Sequence, residues 1–387
     1  MVEAHNVTID SYQGKINQFA ADFMRVVDQA HATGVGLDGP FRVLRSSRKA
    51  TSTSVAINNA GLPFPVSKGK LYISVTDPAG EKRTSSIDFD PAVDSMQDLA
   101  TRISSLDNLQ SSVDSQNGQL SIFAKPGYRF DFTGNTETIP GLAQFTGTAV
   151  PRFSGNFEGN VNRNIAVKIV GSGTIGLTPG LTAQVTDVDS GAVIAELDIG
   201  EGYEGGTSLA VTEGVSLTFS NGTVNNDDQF ATSLVADSDS TGILAALGLN
   251  SFFTGRDARD MQVSSRIMEN PRDLASSRSG DLADTSNLAK LLDIREQPAI
   301  GNPGMTFQDF LGDVSSEIGF QVHSQQQLEN NISVIYTQVE TEIASVSGVD
   351  LNEEMLGIAQ FQKQYEAAVQ VLRTMDAMLT ELMSLVR

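Results

Sequence analysis

Apolar residues recur every three or four positions at both ends of the chain and every second position between them. The pattern alone divides the sequence into helical flanks and a β-rich middle. The last flank is the most regular. After Asp350 the apolar positions are Leu351, Met355, Ile358, Phe361, Tyr365, Ala368, Leu372, Met375, Leu379, Leu382 and Val386, the spacing of a coiled-coil seam. Asp350 stands at an N-cap position with Glu353 three residues on, the arrangement of a capping box, and Gly348 separates this helix from the one upstream. A single helix cannot bury its own seam, and each large side chain left in water forgoes about 1.5–3 kcal/mol. These eleven residues are therefore the candidate assembly interface, to be covered by another segment or by other subunits.

Two more seams follow the same rule. Ile9, Tyr12, Ile16, Phe19, Phe23, Val26 and Ala30 predict a helix over 9–31 that stops at Gly34-Val35-Gly36. Phe307, Phe310, Val314 and Ile318, then Leu328, Ile332, Ile335, Val339 and Val346 after a polar interval at Gln321 and Gln325, predict another. It starts at Thr306, with Asp309 completing the cap, and runs to Val346. These two helices are natural mates and bracket everything between them.

Between them the period falls to two. Leu71, Ile73 and Val75 alternate, turn at Asp77-Pro78-Ala79-Gly80, and resume at Ile87 and Phe89. Met96, Leu99, Ala100 and Ile103 give a short amphipathic helix over 95–106. Asn117-Gly118 marks a hairpin before Leu120-Ser121-Ile122, and Phe130 and Phe132 close the module. A second set of strands is expected at 165–170, 181–188, 193–199 and 215–219, spaced as in a sandwich or barrel.

The expected architecture is an α+β multidomain chain: long terminal helices forming a helix-bundle or coiled-coil rod, with two inserted β-rich domains. The expected segments are a helical part of the rod at 1–45, a mixed α/β outer domain at 46–150 and a β-sandwich or barrel-like outer domain at 151–241. An irregular return segment at 242–304, a long rod helix at 305–347 and a C-terminal coiled-coil helix at 348–387 complete the chain.

The 387 residues suffice for about two to four domains. A net charge of −21 argues against nucleic acid or anionic lipid as a partner, since either needs a basic face. Without cysteine there is no disulfide, thiolate metal site or cysteine nucleophile. No apolar run approaches the length of a membrane span, and the first residues lack the basic segment and apolar core of a secretory signal.

The order of several short blocks carries a resemblance. Ser347-Gly348-Val349-Asp350-Leu351-Asn352-Glu353-Glu354-Met355, Gln360-Phe361-Gln362, Tyr365-Glu366-Ala367-Ala368 and Met375-Asp376-Ala377-Met378-Leu379 resemble the C-terminal signature of flagellar rod, hook and hook-associated proteins. Leu247-Gly248-Leu249-Asn250, Phe252-Phe253-Thr254-Gly255, Asp257-Ala258, Asp260-Met261 with Val263 two residues on, Asn270-Pro271, Leu274-Ala275, Gly280-Asp281 and Asn287-Leu288-Ala289 narrow it to the hook-associated branch at the hook–filament junction. Asp28-Gln29-Ala30-His31 with Gly34 and Leu37-Asp38-Gly39 is similar to the point where a rod helix of that branch enters the outer domains. The resemblance implies a ring of subunits whose terminal helices line a tube and whose β domains face outward. The partners it implies are copies of the chain itself, the hook protein, a neighbouring hook-associated protein and a flagellar export chaperone. It also implies export by the flagellar type III route, without a cleavable signal, to the extracellular flagellum. Members of the family begin with a further N-terminal helix, so the chain is expected to be a fragment or a shortened product.

No constellation of residues assembles an enzyme: catalytic, cofactor and metal residues are each expected to be none. Gly171-Ser172-Gly173-Thr174-Ile175-Gly176 has dinucleotide-binding spacing, yet Leu177-Thr178-Pro179-Gly180 follows where a helix is required. Asp187-Val188-Asp189-Ser190-Gly191 opens like a calcium loop, but no glutamate closes it at the twelfth position. Asn225-Asn226-Asp227-Asp228 reads as a solvated loop, and His31 and His323 as surface or helix-capping residues. The competing expectation is a secreted acidic β-domain adhesin or glycan-binding protein that oligomerises through its helices.

Overall fold

The structure, a computed structural model, describes residues 2–280, 283–298, 305–348 and 350–384. It mixes helix and sheet and divides into two compact units, Met1–Leu311 and Gly312–Arg387.

The first unit begins with α1 (Val2–Ala32), longer at its start than the seam predicts. Its side-chain burial is graded. Ile9 and Ile16 are exposed, whereas Ala20, Met24, Val27 and Ala30 are buried. The last turns are enclosed on more than one side: Met24 and Ala32 join one core, and Val27 and Ala30 another.

Two three-stranded antiparallel sheets follow, built from β1 (Val43–Arg45), β2 (Gly69–Thr76), β3 (Lys82–Phe89), β4 (Leu109–Asp114), β5 (Gln119–Ala124) and β6 (Arg129–Asp131). Their orders are β1-β5-β4 and β3-β2-β6. The β2–β3 turn forms where expected, because the Asp77 carboxylate accepts the N–H groups of Ala79 and Glu81. In the β4–β5 turn Gly118 takes φ 63°, the left-handed conformation for which Asn-Gly is suited. Between the strands lies α2 (Met96–Ser104), started by a Ser95–Asp98 capping box and burying Met96, Leu99, Ala100 and Ile103, the four residues the periodicity selects. These sheets share one core with α3 (Ile243–Leu247), every residue of which is buried.

The second β module comprises β7 (Pro151–Gly155), β8 (Arg163–Val170), β9 (Gly173–Thr174), β10 (Thr182–Asp187), β11 (Val193–Asp198), β12 (Leu209–Thr212), β13 (Val215–Phe219), β14 (Thr223–Val224) and β15 (Gln229–Leu234). Sheets ordered β11-β10-β8-β15 and β12-β13-β7 turn their alternate residues into a single core, including Ile165, Val167, Val185, Leu217 and Phe230, as two packed sheets do.

The return segment is less irregular than its sequence suggests. A hairpin at 253–254 and 262–263, α4 (Ser265–Glu269) and α5 (Ser286–Asp293) lead to α6 (Phe307–Ser347). Thr306 and Asp309 exchange the reciprocal bonds of a capping box at its start. Phe307 and Phe310 pack on α1: Phe19 stacks on Phe310 at 5.4 Å, and Phe307 meets Phe23 edge-on at 5.5 Å.

The second unit holds the rest of α6 and α7 (Leu351–Ser384). Asp350 caps α7 by accepting the N–H of Asn352.

Candidate assembly surface and the clasp at the end of the first helix

The seam residues of α7 project into water. Leu351, Met355, Ile358, Phe361, Tyr365, Leu372, Met375, Leu379 and Leu382 are between 55 and 76 % exposed, and Ala368 is exposed with them; Val386 lies outside the described residues. Covering nine large side chains of this exposure is worth on the order of 10 kcal/mol before association costs. Leu356, Val371, Met378 and Met383 are exposed too. Val371 and Met378 each precede a seam residue and widen the stripe on one side. The face is therefore broader than the two-position seam of a paired coil. Along α6, Phe320, Val322, Leu328, Ile332, Ile335, Tyr336, Val339 and Val346 are likewise exposed.

The polar chemistry is concentrated where α1 ends. Burial at that point leaves the last carbonyls of the helix without water, so they need partners from the protein. Asn250, at φ 50°, supplies them: its Nδ2 donates to the carbonyls of His31 at 3.2 Å, Ala32 at 3.3 Å and Gly34 at 2.9 Å. Its Oδ1 accepts from Arg266 at 2.6 Å.

One turn earlier, the buried Asp28 carboxylate accepts the N–H groups of Phe252 and Phe253 and a guanidinium bond from Arg48 at 2.7 Å. Arg48 in turn donates to the carbonyls of Ala245 and Gly255 and lies over the Phe64 ring at 4.5 Å. Burial pushes the Asp28 carboxyl up to about 6, against the opposing pull of Arg48 and the two backbone donors.

His31 is not the surface or capping residue its position suggests. It is fully buried; Nδ1–H donates to the Asn250 carbonyl at 2.7 Å, and Nε2 accepts the Ala275 N–H at 3.0 Å. Burial pushes the imidazole down to about 4; the Asn250 carbonyl opposes this and the charge of Arg266 adds to it. Sequence reasoning missed the set because its members lie far apart, His31 and Ala275 being 244 residues from one another. The only local signal was a pair of ionisable residues, Asp28 and His31, at the end of an otherwise apolar helix.

The candidate chemical motifs resolve into turns. Gly173 and Thr174 pair with β14, and Ile175 N–H bonds the Gly222 carbonyl, so this stretch makes strand contacts where a nucleotide loop would open a helix. Asp187 Oδ1 accepts from Asp189 and Ser190 within a hairpin. Asp228 is buried and spends its oxygens on Thr146, Gly147 and Asn225, which corrects the reading of that loop as wholly solvated. Among the described residues no group of three or more metal-ligating side chains comes together, and no helix is long and apolar enough to cross a membrane.

Comparison with known proteins first gives a class. Residues 343–385, which include α7, match the family described as "Flagellar basal body rod FlgEFG protein C-terminal". The individual relatives are more specific. The chain is similar to flagellar hook-associated protein 1 of Escherichia coli (strain K12), 28% identical over 112 residues, or 29% of this chain and 20% of that protein. The protein of the same name from Salmonella typhimurium is 29% identical over 107 residues, 28% of this chain and 19% of the other. The aligned stretches thus span about a fifth of those relatives' length. A solved structure, the flagellar hook junction protein FlgK from Burkholderia pseudomallei, aligns over 88% of this chain and 60% of its own at 14% identity. Its TM-score is 0.23. Both named relatives are flagellar hook-associated proteins, and the matching family is one of the flagellar basal body rod.

Proposed function

We propose that the chain is a structural subunit of the bacterial flagellum at the hook–filament junction, assembling through the exposed face of α7. The observation that carries the reading is the continuous apolar stripe of Leu351, Met355, Ile358, Phe361, Tyr365, Ala368, Leu372, Met375, Leu379 and Leu382 left in water, within a segment that matches a flagellar family. Neighbouring copies, the hook protein and an adjacent hook-associated protein are the partners that would cover it. A flagellar export chaperone would shield it beforehand, and the route outward would be type III export without a cleaved signal. In this scheme the chain catalyses nothing.

The test is substitution of Leu372 and Leu379 by aspartate in the native gene, followed by isolation of hook–basal bodies and a motility assay. Both side chains are exposed, so the isolated subunit keeps its fold and its far-ultraviolet circular dichroism. The expected result is a subunit that is made but missing from the isolated structures, in cells that do not swim. Normal incorporation of the double variant would overturn the proposal.

A further inference from the structure

We infer that His31 is a proton-operated latch: protonating its ring releases residues 272–280 from the end of α1 while the β cores stay folded. Both ring nitrogens are committed, in opposite senses. Nδ1–H donates to the Asn250 carbonyl and Nε2 accepts the Ala275 N–H. An imidazolium has no lone pair to offer, so the added proton would face the Ala275 N–H head-on. The ring is fully buried and lies edge-on to Phe252 at 5.7 Å, which leaves little room to turn away.

The charged groups on the packed elements do not rescue it. Arg266 of α4 is itself a cation and pairs with Asp273 at 3.3 Å. Asp28 on α1 is engaged by Arg48, Phe252 and Phe253. Beyond the histidine, the segment is tied to the helix end by a short set of backbone bonds: Val35 and Ser277 exchange both of theirs, and Leu37 N–H reaches the Arg272 carbonyl.

The two buried acid–base groups make the opening selective. His31 sits at about 4 when closed, against 6.5 in water. An opening that wets only this ring is therefore favoured about 20-fold more at pH 5 than at pH 7. Asp28, raised to about 6, works the other way, but only in an opening that also strips it from Arg48. Exposure of both groups together changes by only about twofold over the same interval. Acid thus favours the local release over global unfolding.

The experiment uses the full chain. Amide hydrogen-exchange protection, corrected for intrinsic rates, is measured at pH 7 and pH 5, together with histidine nitrogen NMR. The amides of Val35, Ala275 and Ser277 should lose about 20-fold of protection, while Ile73 and Val167 change by no more than about twofold. His31→Gln has no titrating ring, and its carboxamide still offers a donor and an acceptor, an NH2 and a carbonyl oxygen; it should show no such loss. At pH 7 the native ring should be the neutral Nδ1–H tautomer, a reading that needs no variant. Equal protection of those three amides at both pH values, the same loss in His31→Gln, or an Nε2–H tautomer would each overturn the latch.

Discussion

Replacing Asn250 should cost more than any other single polar change in the return segment, and the structure says how much. Asn250→Ala removes the donors shared among the carbonyls of His31, Ala32 and Gly34, and the acceptor of Arg266. A buried carbonyl left unpaired costs about 1–3 kcal/mol; the His31 carbonyl keeps the Gly34 N–H at 3.1 Å, so the two that lose the Asn250 donor without that backup are those of Ala32 and Gly34. Alanine in the left-handed conformation at φ 50° adds about 1–2 kcal/mol. Arg266 retains Asp273, so its loss is partial. The sum is about 3–8 kcal/mol, a large share of the 5–15 kcal/mol typical of a domain. Asn250→Gly removes the same bonds without the backbone strain and should be milder than alanine by about 1 kcal/mol. Asn250→Asp keeps the oxygen facing Arg266 but points a second one at the carbonyls, and should be at least as damaging as alanine. Urea titration, followed by the near-ultraviolet circular dichroism of the buried Tyr72, gives each free energy. An alanine variant within about 0.5 kcal/mol of the parent would refute the clasp as a source of stability.

Further outcomes follow from other parts of the molecule. Gly36→Ala would press a methyl group onto the Arg272 carbonyl and the Asp273 backbone; a loss of about 2 kcal/mol or more is expected on urea titration, since backbone cannot step aside as a side chain can. For global stability, the folded value of His31, about 4, lies below its 6.5 in water. Its contribution is therefore full above pH 6.5 and lost as the pH falls to 4. Asp28, raised from 3.8 to about 6, gains stability over nearly the same window and offsets it. His31→Gln should therefore gain about 3 kcal/mol relative to the parent between pH 6.5 and 4, and parallel curves would refute the assignment. In the isolated chain the amides of residues 351–384 should exchange rapidly in a hydrogen-exchange experiment, because the large apolar side chains described on that helix are exposed; strong protection would contradict the role proposed for its seam.

What the sequence made legible was whatever depends on neighbours along the chain. The helix of α7, the four buried residues of α2, the turns at Asp77 and Asn117 and the caps at Thr306 and Asp350 all follow from spacing or from side-chain chemistry within a few residues. Strands β7, β12 and β15 were not anticipated. β12 is only four residues long, and β7 and β15 mix polar residues with their inward Phe153, Phe230 and Leu234. The seam of α1 gave one of its buried faces and not the other, since Met24 is fixed by a core whose remaining members begin at Ala32 and run to Leu249. His31, Asp28, Arg48 and Asn250 were illegible for the same reason. Their partners are up to 244 residues away, and no periodicity reports a contact that only the finished fold creates.

The second β module leaves and rejoins the first unit at neighbouring points. Ser238 bonds the Phe132 carbonyl, Gly134 lies against Val235 and Ser238, and its core draws on none of the residues of the other two. It is attached like a lamp on a bracket. The socket at 132–134 and 235–238 asks that whatever is mounted there bring its two ends together, and Arg152 steadies this one against Glu81; an ornament of different size that keeps those anchor points can be seated in the same mounting.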